Sequence, residues 1–324
     1  MRSSEKYNFL HSWAVWLLVA QGPICCGADE PVTKILFADP AYDILREDPD
    51  SAGPYAEFKV HPLLPALRYA YGRYERLRQD VQDYTCLTHR RERVGGKLRG
   101  SNVFWAKVRH PHKTSGLEAT AYSVYLKFVG PKDVRGREVL YVDGGYSNRL
   151  IMTAGGSGAL SKVTLSLHPT GKRALAASRH PITKFGMLNT VADLLQRGMT
   201  EMLQDQHPTE WDVQFYRHAK VGERDCTCVQ VRRTVYRDEF TFYLVRCFVD
   251  NELDVPIRFT TFALPPEPGG PPRLAEAYTY TKVRLNVGLE DTDFDVSNSD
   301  YGFDESRVQV GSTQAVGLKT DGLR

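Results

Sequence analysis

The stretch at residues 278–303, YTYTKVRLNVGLEDTDFDVSNSDYGF, decides the fold of this chain. Its first part alternates residue types as a β-strand does, which indicates a place in a large antiparallel sheet. Its second part is an acidic loop that carries apolar residues at intervals. We expect three of these, Leu289, Phe294 and Phe303, to pin the strand where it closes a curved sheet.

The same loop contains a series of oxygen ligands that resembles a calcium site: Asp291, Asp293, Asp295, Asn298 and Asp300. Calcium prefers several oxygen ligands within one short loop. The EF-hand pattern needs Gly at its sixth position and Glu at its twelfth, where this chain has Val296 and Gly302. We therefore interpret the aspartates as residues of a solvated turn, and predict no metal and no cofactor.

Length and charge exclude some classes of protein. The chain has 324 residues, of which 42% are hydrophobic and 25% are charged, as in an ordinary soluble protein. Its net charge of +3 comes without a cluster of Lys and Arg, so the composition does not favour binding to nucleic acid.

The N-terminus predicts export. Residues 13–20, WAVWLLVA, form an apolar run too short to span a bilayer, and small residues follow it. We predict a signal peptide at 1–28 with cleavage near Ala28, and we disfavour lipid attachment at Cys25 or Cys26. The mature chain is expected to have a loosely structured lead-in at 29–60, one domain at 61–303 and a disordered tail at 304–324.

Four cysteines remain after this cleavage, namely Cys86, Cys226, Cys228 and Cys247. Export favours disulfides, and four thiols allow three pairings. Buried free thiols that behave as small apolar residues fit the sequence equally well. The sequence leaves this alternative open.

Secondary-structure patterns predict an α+β protein with two main helices. Apolar residues spaced by three and four between Leu63 and Tyr84 indicate the first helix, and a similar stripe after Pro181 indicates the second. Around and between them lie strand-like segments separated by turns such as Gly95-Gly96, as in an antiparallel meander. We place these segments at 84–94, 97–108, 119–129, 138–142, 148–153, 160–167, 211–219, 226–236, 240–250, 257–264 and 275–285.

The segment at 240–249 has apolar residues on both faces, although a strand with one solvent-exposed face would alternate apolar and polar residues. Both faces should therefore be shielded. Either the helices and the sheet form a fully packed core, or one face lines an apolar cavity.

Other chemical motifs are weak. His110 and His112 lack a third metal ligand nearby, and the GGSGA motif at 155–159 precedes a strand rather than the helix of a nucleophile elbow. Glu92 and Glu276 are candidate half-buried carboxylates that could pair with arginines such as Arg284. We interpret them as structural and find no catalytic residue.

Several motifs, in order along the chain, resemble a bacterial family known as domain of unknown function 1571. They are DYTC at 83–86, RERV at 91–94, GKL at 96–98, SVYLKF at 123–128, GREVLY at 136–141, RHPIT at 179–183, LNVGL at 285–289, DFD at 293–295 and YGF at 301–303. The stretch at 110–120 departs from the family in being longer and more polar. This family is similar to the periplasmic lipoprotein carriers of the LolA/LppX-like superfamily.

The resemblance implies a strongly curved antiparallel sheet, an incomplete barrel of about ten or eleven strands, with the two helices covering its concave side. It also implies an exported, non-enzymatic protein that holds a lipid or the acyl chain of a lipoprotein. Contact with a membrane surface stays open, and the alternatives are an envelope scaffold with a packed interior or an uncharacterised hydrolase. The predicted cavity residues are Phe104, Tyr125, Phe128, Leu188, Leu195, Phe242, Leu244 and Phe259.

Overall fold

A 12-stranded antiparallel sheet dominates the described residues of the computed structural model, which are 40–46, 56–112, 119–158, 161–237 and 242–308. These residues all belong to one compact unit, Pro31–Arg324. The predicted signal peptide and residues 309–324 of the predicted tail lie outside the described residues, as do residues 113–118 of the polar stretch at 110–120. Among the described residues, no helix is both long and apolar enough to cross a bilayer.

Two long helices accompany the sheet. They are α1 (Leu64–Asp80) and α2 (Met187–Gln204). The strands are β1 (Asp83–Val94), β2 (Lys97–Leu98), β3 (Asn102–Arg109), β4 (Ser123–Gly130), β5 (Glu138–Val142), β6 (Leu150–Thr153), β7 (Thr164–Leu167), β8 (Trp211–Val221), β9 (Arg224–Arg233), β10 (Leu244–Asp250), β11 (Pro256–Ala263) and β12 (Arg273–Leu285).

The strand order is β7-β6-β5-β4-β3-β1-β12-β11-β10-β9-β8, with β2 paired to β1. The sheet is open. β12 lies at its centre, where it pairs with β1 and joins the two meanders. The last strand, which we expected to close a curved sheet, therefore lies in its interior, because the pairing of β1 with β12 brings the two ends of the domain together.

The predicted hairpin at Gly95-Gly96 is confirmed, and both glycines have positive φ angles of 56° and 77°. The strand predicted at 97–108 is instead divided into β2 and β3. The division raises the strand number from the expected ten or eleven to 12. Arg99 still donates its backbone N–H to Glu92, but regular pairing with β1 resumes only at Asn102.

The second helix begins later than Pro181. Residues Ile182–Lys184 form a short 3-10 helix, and α2 starts after Gly186, whose φ is 101°. A Cβ at Gly186 would lie 2.9 Å from the hydroxyl of Tyr84, which accepts a hydrogen bond from Met187 N. Glycine is therefore required where this helix starts above β1.

Both helices pack on one face of the sheet, here called the helix-covered face. Its core combines Leu77 of α1, Met199 of α2 and strand residues such as Cys86, Phe104 and Val124. At the point where the helices cross, a Cβ on Gly198 would lie only 2.4 Å from Leu67 Cδ2. The lead-in also contributes, since Ile44 is fully buried in this core.

The opposite face of β4–β6 is covered by the segment that follows β12. Phe294 and Val296 pack with Tyr125, Leu140 and Ile151 in a second apolar cluster. Tyr301 stacks on Tyr125 with ring centroids 3.9 Å apart. The apolar anchors predicted in this loop are therefore buried or half-buried, but they cover a face of the sheet and do not close it.

Acidic residues of this segment are engaged in turns and ion pairs. Asp293 receives a 2.6 Å bond from Lys107 Nζ, and Asp291 lies 2.7 Å from Arg109. Asp295 accepts a hydrogen bond from Ser297 N. These contacts agree with turn chemistry, although Asp293 is more buried than a solvated turn would require.

The four cysteines that follow the predicted cleavage site are free thiols in this structure. The thiols of Cys86, Cys226 and Cys228 are buried, and that of Cys247 is partly buried. His110 and His112 are engaged separately: His110 donates from Nδ1 to the carbonyl of Val81, and His112 Nδ1 lies 2.8 Å from Thr120 Oγ1.

Candidate ligand-binding cleft

Two adjacent clefts lie between the helix-covered face and the elements above it. The larger one, here called the polar cleft, has a volume of about 300 Å³. That volume is at the lower end of roughly 300–1,000 Å³, the range of small-molecule sites. It has an apolar floor from the strands, with Leu126, Phe128, Val139, Leu150 and Met152. Its polar wall comes from Arg90, Arg137, Arg173, Ser178, His180, Lys184 and Glu276.

The second cleft, here called the apolar cleft, has a volume of about 120 Å³. Its lining comes from α1, α2 and strands β9–β12, and is dominated by Leu63, Ala66, Leu67, Ala70, Leu194, Val229, Val231, Phe242, Val245, Val249 and Ala275. Phe259, Asp193 and Glu276 line both clefts. An apolar recess thus lies directly beside a cleft with a cationic wall.

The wall shared by the clefts is built on the β1–β12 pairing. Glu92 lies opposite Glu276 in the register, and Arg90 lies opposite Tyr278. Both carboxylates are buried, with 3% and 6% of their residue surfaces exposed. Side chains directly opposite each other in an antiparallel pair face the same side, so two like charges meet here.

Each carboxylate is satisfied by its own donors. Glu92 accepts a hydrogen bond from the hydroxyl of Tyr278 and a 3.2 Å bond from Arg179 N. Glu276 accepts bonds of 2.7 Å from His180 Nε2 and 3.1 Å from the hydroxyl of Thr261. Because every carboxylate oxygen has a partner, the two acids can coexist in a buried site.

These bonds also position the segment that leads into α2. Arg179 and His180 precede Pro181, and their contacts with Glu92 and Glu276 fasten this segment over the strands. Burial raises the pKa of Glu276, but the hydrogen bond and electrostatic attraction of His180, together with the attraction of Arg179, outweigh it and lower the pKa. Glu276 is thereby held as a carboxylate.

The arginines of the polar wall have fewer hydrogen-bond partners than its carboxylates. Arg90 is 91% buried, donates a 3.3 Å bond to Ser178 Oγ and has no hydrogen-bond partner at Nε. Arg137 donates to the carbonyl of Ala154. Both guanidinium groups lie within 6 Å of the Phe128 ring centre. Burial, and then repulsion by Arg90, lower the pKa of Arg137.

The predicted cavity residues divide into three groups. Phe128 lines the polar cleft, Phe242 lines the apolar cleft, and Phe259 lines both. Phe104, Leu188 and Leu195 are buried in the adjoining core. The remaining two, Tyr125 and Leu244, were assigned to the wrong face.

Tyr125 belongs to the second apolar cluster, under the acidic segment. Leu244 precedes Val245, which lines the apolar cleft, so Leu244 points to the other side of β10. Successive strand residues alternate between faces, and a one-residue error in register exchanges them. Their role as cavity residues is therefore withdrawn, and a ligand-binding role for the other six stays a prediction.

Sequence reasoning missed the polar wall. Glu92 and Glu276 were expected to pair with arginines on neighbouring strands such as Arg284, but their partners are Tyr278 and the Arg179-His180 segment. The RHPIT motif at 179–183 was a usable signal, because it is one of the motifs that the chain shares with its family. Arg90 and Arg137 gave no such signal, since an arginine in a strand more often faces solvent.

Several solved structures resemble the chain at low identity. A DUF1329 family protein from Desulfovibrio piger is 15% identical, over 73% of this chain and 98% of that chain, with a TM-score of 0.33. The complex of MucA and MucB from Pseudomonas aeruginosa is 16% identical, over 76% of this chain and 63% of that chain, with a TM-score of 0.40. A LolA superfamily protein from Nitrosomonas europaea is 9% identical, over 71% of this chain and 97% of that chain, with a TM-score of 0.28. With TM-scores this low, nothing about function follows from these likenesses.

Sequence comparison gives a firmer result. No curated protein matches the chain. A family model described as "Protein of unknown function (DUF1571)" matches residues 81–303, which is more than half of the 324 residues. The motifs quoted above, from DYTC to YGF, all lie within residues 81–303. The chain belongs to the DUF1571 family.

Proposed function

We propose that this protein is an exported, non-enzymatic carrier that binds a lipid, or the acyl chain of a lipoprotein, between its helices and its sheet. The observation that carries the proposal is the apolar cleft beside the polar cleft, with Phe259 in the wall of both. An elongated apolar chain with a polar end matches this arrangement. Export rests on the predicted signal peptide.

The energetics are sufficient for useful affinity. Each methylene group buried from water contributes about 0.8 kcal/mol, which corresponds to about a fourfold change in affinity. Binding should therefore strengthen by about this factor for each added methylene, until the cleft is filled. A fully packed interior would give no such dependence on chain length.

Displacement of a fluorescent fatty acid by unlabelled fatty acids of increasing length tests the proposal. Ala275 is 6% exposed and lines the apolar cleft, so Ala275→Phe should fill it and weaken binding at least about tenfold. Ala277→Phe is the matched control, because Ala277 lies two residues along the same strand and pairs with Thr260, away from both clefts.

A milder variant covers the risk that Ala275→Phe does not fold. Ala66 lines the apolar cleft from α1, and Ala66→Leu should weaken binding of the longest chains most. Thermal unfolding of each variant, followed by circular dichroism, shows whether the fold is kept. No uptake of the probe by the wild-type protein would instead favour an envelope scaffold without a ligand.

A hydrolase is the second candidate, because Glu92 and Glu276 form a pair of carboxylates beside the cleft. General acid–base catalysis needs one carboxyl that holds a proton near neutral pH. The lowered pKa of Glu276 and the hydrogen-bond partner at every carboxylate oxygen of both acids argue against that role. Turnover of a nitrophenyl ester that is lost in Glu276→Gln but not in Ala277→Phe would support the hydrolase.

A further inference from the structure

The polar cleft contains more positive charge than its carboxylates neutralise. Its lining includes four permanent cations, Arg90, Arg137, Arg173 and Lys184, and two carboxylates, Asp193 and Glu276. Three of these cations, Arg90, Arg137 and Lys184, are buried or half-buried, and such groups require either water or an anion for the hydrogen bonds that the protein does not supply.

The carboxylates in this region already have partners. Asp193 lies 2.7 Å from Arg197 and 3.4 Å from Lys184. Glu276 is bound by His180 and Thr261. None of these contacts involves Arg137 or Arg173.

Arg137 and Arg173 therefore form no ion pair with a carboxylate in the part of the chain that the structure describes. Arg137 is bonded only to a carbonyl oxygen, and Arg173 is exposed at the mouth of the cleft. Arg90 is nine-tenths buried and lines the same cleft, with its Nε unbonded and Glu92 3.7 Å away.

Two of these cations lie near the same aromatic ring. The guanidinium carbons of Arg90 and Arg137 lie 5.9 and 5.7 Å from the centre of the Phe128 ring. Besides burial, repulsion by Arg90 contributes to the lowered pKa of Arg137, and an anion bound in the cleft would reduce that repulsion. A planar guanidinium fork also matches the oxygens of a carboxylate or a phosphate in a bidentate manner.

We infer that the polar cleft recognises the anionic head group, a carboxylate or a phosphate, of the acyl ligand whose chain enters the apolar cleft. Arg137 and Arg173 bind the head group, and Arg90 contributes positive charge from the polar wall. The inference rests on the proposed carrier function and adds the chemical class of the ligand. It also gives the ligand an orientation, with its head at Arg173 and its tail towards Phe259.

Calorimetric titration of the full chain with three ligands of equal chain length tests this inference: dodecanoate, dodecyl phosphate and dodecan-1-ol. We expect at least one of the anionic ligands to bind about tenfold or more tightly than the alcohol at low salt, and this preference to shrink as salt is added. The double variant Arg137→Gln with Arg173→Gln should lose the preference while its affinity for the alcohol stays unchanged.

Arg135→Gln with Lys172→Gln is the matched control. It removes the same two charges from neighbouring exposed positions that do not line the cleft, and should keep the preference. The single variant Arg173→Gln serves if the double variant does not fold, because Arg173 is exposed and its loss should by itself reduce the preference about threefold.

Equal affinity for the alcohol and both anions would overturn the inference while the carrier function stands. The same holds if the cleft double variant keeps the full preference. Failure of every ligand to bind, the alcohol included, would instead overturn the carrier function itself.

Discussion

Replacement of Phe294 by alanine should destabilise the protein more than most changes in this loop. Phe294 is 3% exposed and packs on the face of the sheet away from the helices, with Tyr125, Leu140 and Ile151. The guanidinium carbon of Arg109 also lies 4.9 Å from its ring centre. If the segment after β12 is a structural cover, this ring is its main attachment.

The size of the effect follows from these contacts. Removal of a buried phenylalanine side chain costs about 3–5 kcal/mol, and the contact with Arg109 adds about 0.5–1 kcal/mol. For a protein of this size, each kcal/mol lowers the melting temperature by about 2–4 °C, so a total of about 3.5–6 kcal/mol should lower it by about 7–24 °C.

Urea denaturation and thermal unfolding, each followed by circular dichroism, measure this change. Phe215→Ala is the matched control, since Phe215 is 38% exposed on β8 and its loss should cost about 1 kcal/mol or less. Equal destabilisation by the two variants would refute the structural cover. A rise in the wild-type melting temperature on addition of calcium would refute the interpretation of the aspartates as turn residues.

Two further predictions concern buried polar groups near the start of β1. Burial lowers the pKa of His110 to about 4, below the value of about 6.5 in the unfolded chain. The unfolded chain therefore binds a proton at this residue more readily than the folded chain does. The free energy of unfolding should accordingly be highest above about pH 6.5 and fall as the pH is lowered towards about 4. Urea denaturation at pH 7 and pH 4.5 should therefore show a smaller loss in His110→Asn than in the wild type, and equal losses would contradict this. Asp83→Ala should cost about 2–3 kcal/mol, because it leaves the backbone N–H groups of Val287 and Leu289 without their acceptor, whereas Asp300→Ala on the exposed turn should cost under about 1 kcal/mol.

Local patterns in the sequence were enough to find most elements of this fold. The turn at Gly95-Gly96 and the strand Glu138–Val142 were predicted at the positions where they occur, because both depend on neighbouring residues. The place of β12 was not predictable in this way. Its partner β1 lies almost 200 residues earlier, and no local pattern specifies which distant strands will pair.

The candidate site shows the same limit. Phe128, Phe242 and Phe259 were identified because apolar residues on the faces of strands must be shielded from water. Tyr125 and Leu244 were misplaced because the face of a strand depends on a register that one residue can reverse. The polar wall depends on contacts between residues far apart in the sequence, such as the hydrogen bond between His180 and Glu276. Only the folded chain brings such residues together.

The measurement that tests the central claim most directly is native mass spectrometry of the protein purified from its own envelope, with lipid extraction of the same sample. The account predicts one acyl-containing ligand per chain, and a much reduced fraction of loaded protein in Ala275→Phe but not in Ala277→Phe. Protein that is empty in the mass spectrum, yields no lipid on extraction and takes up no fluorescent fatty acid would contradict it.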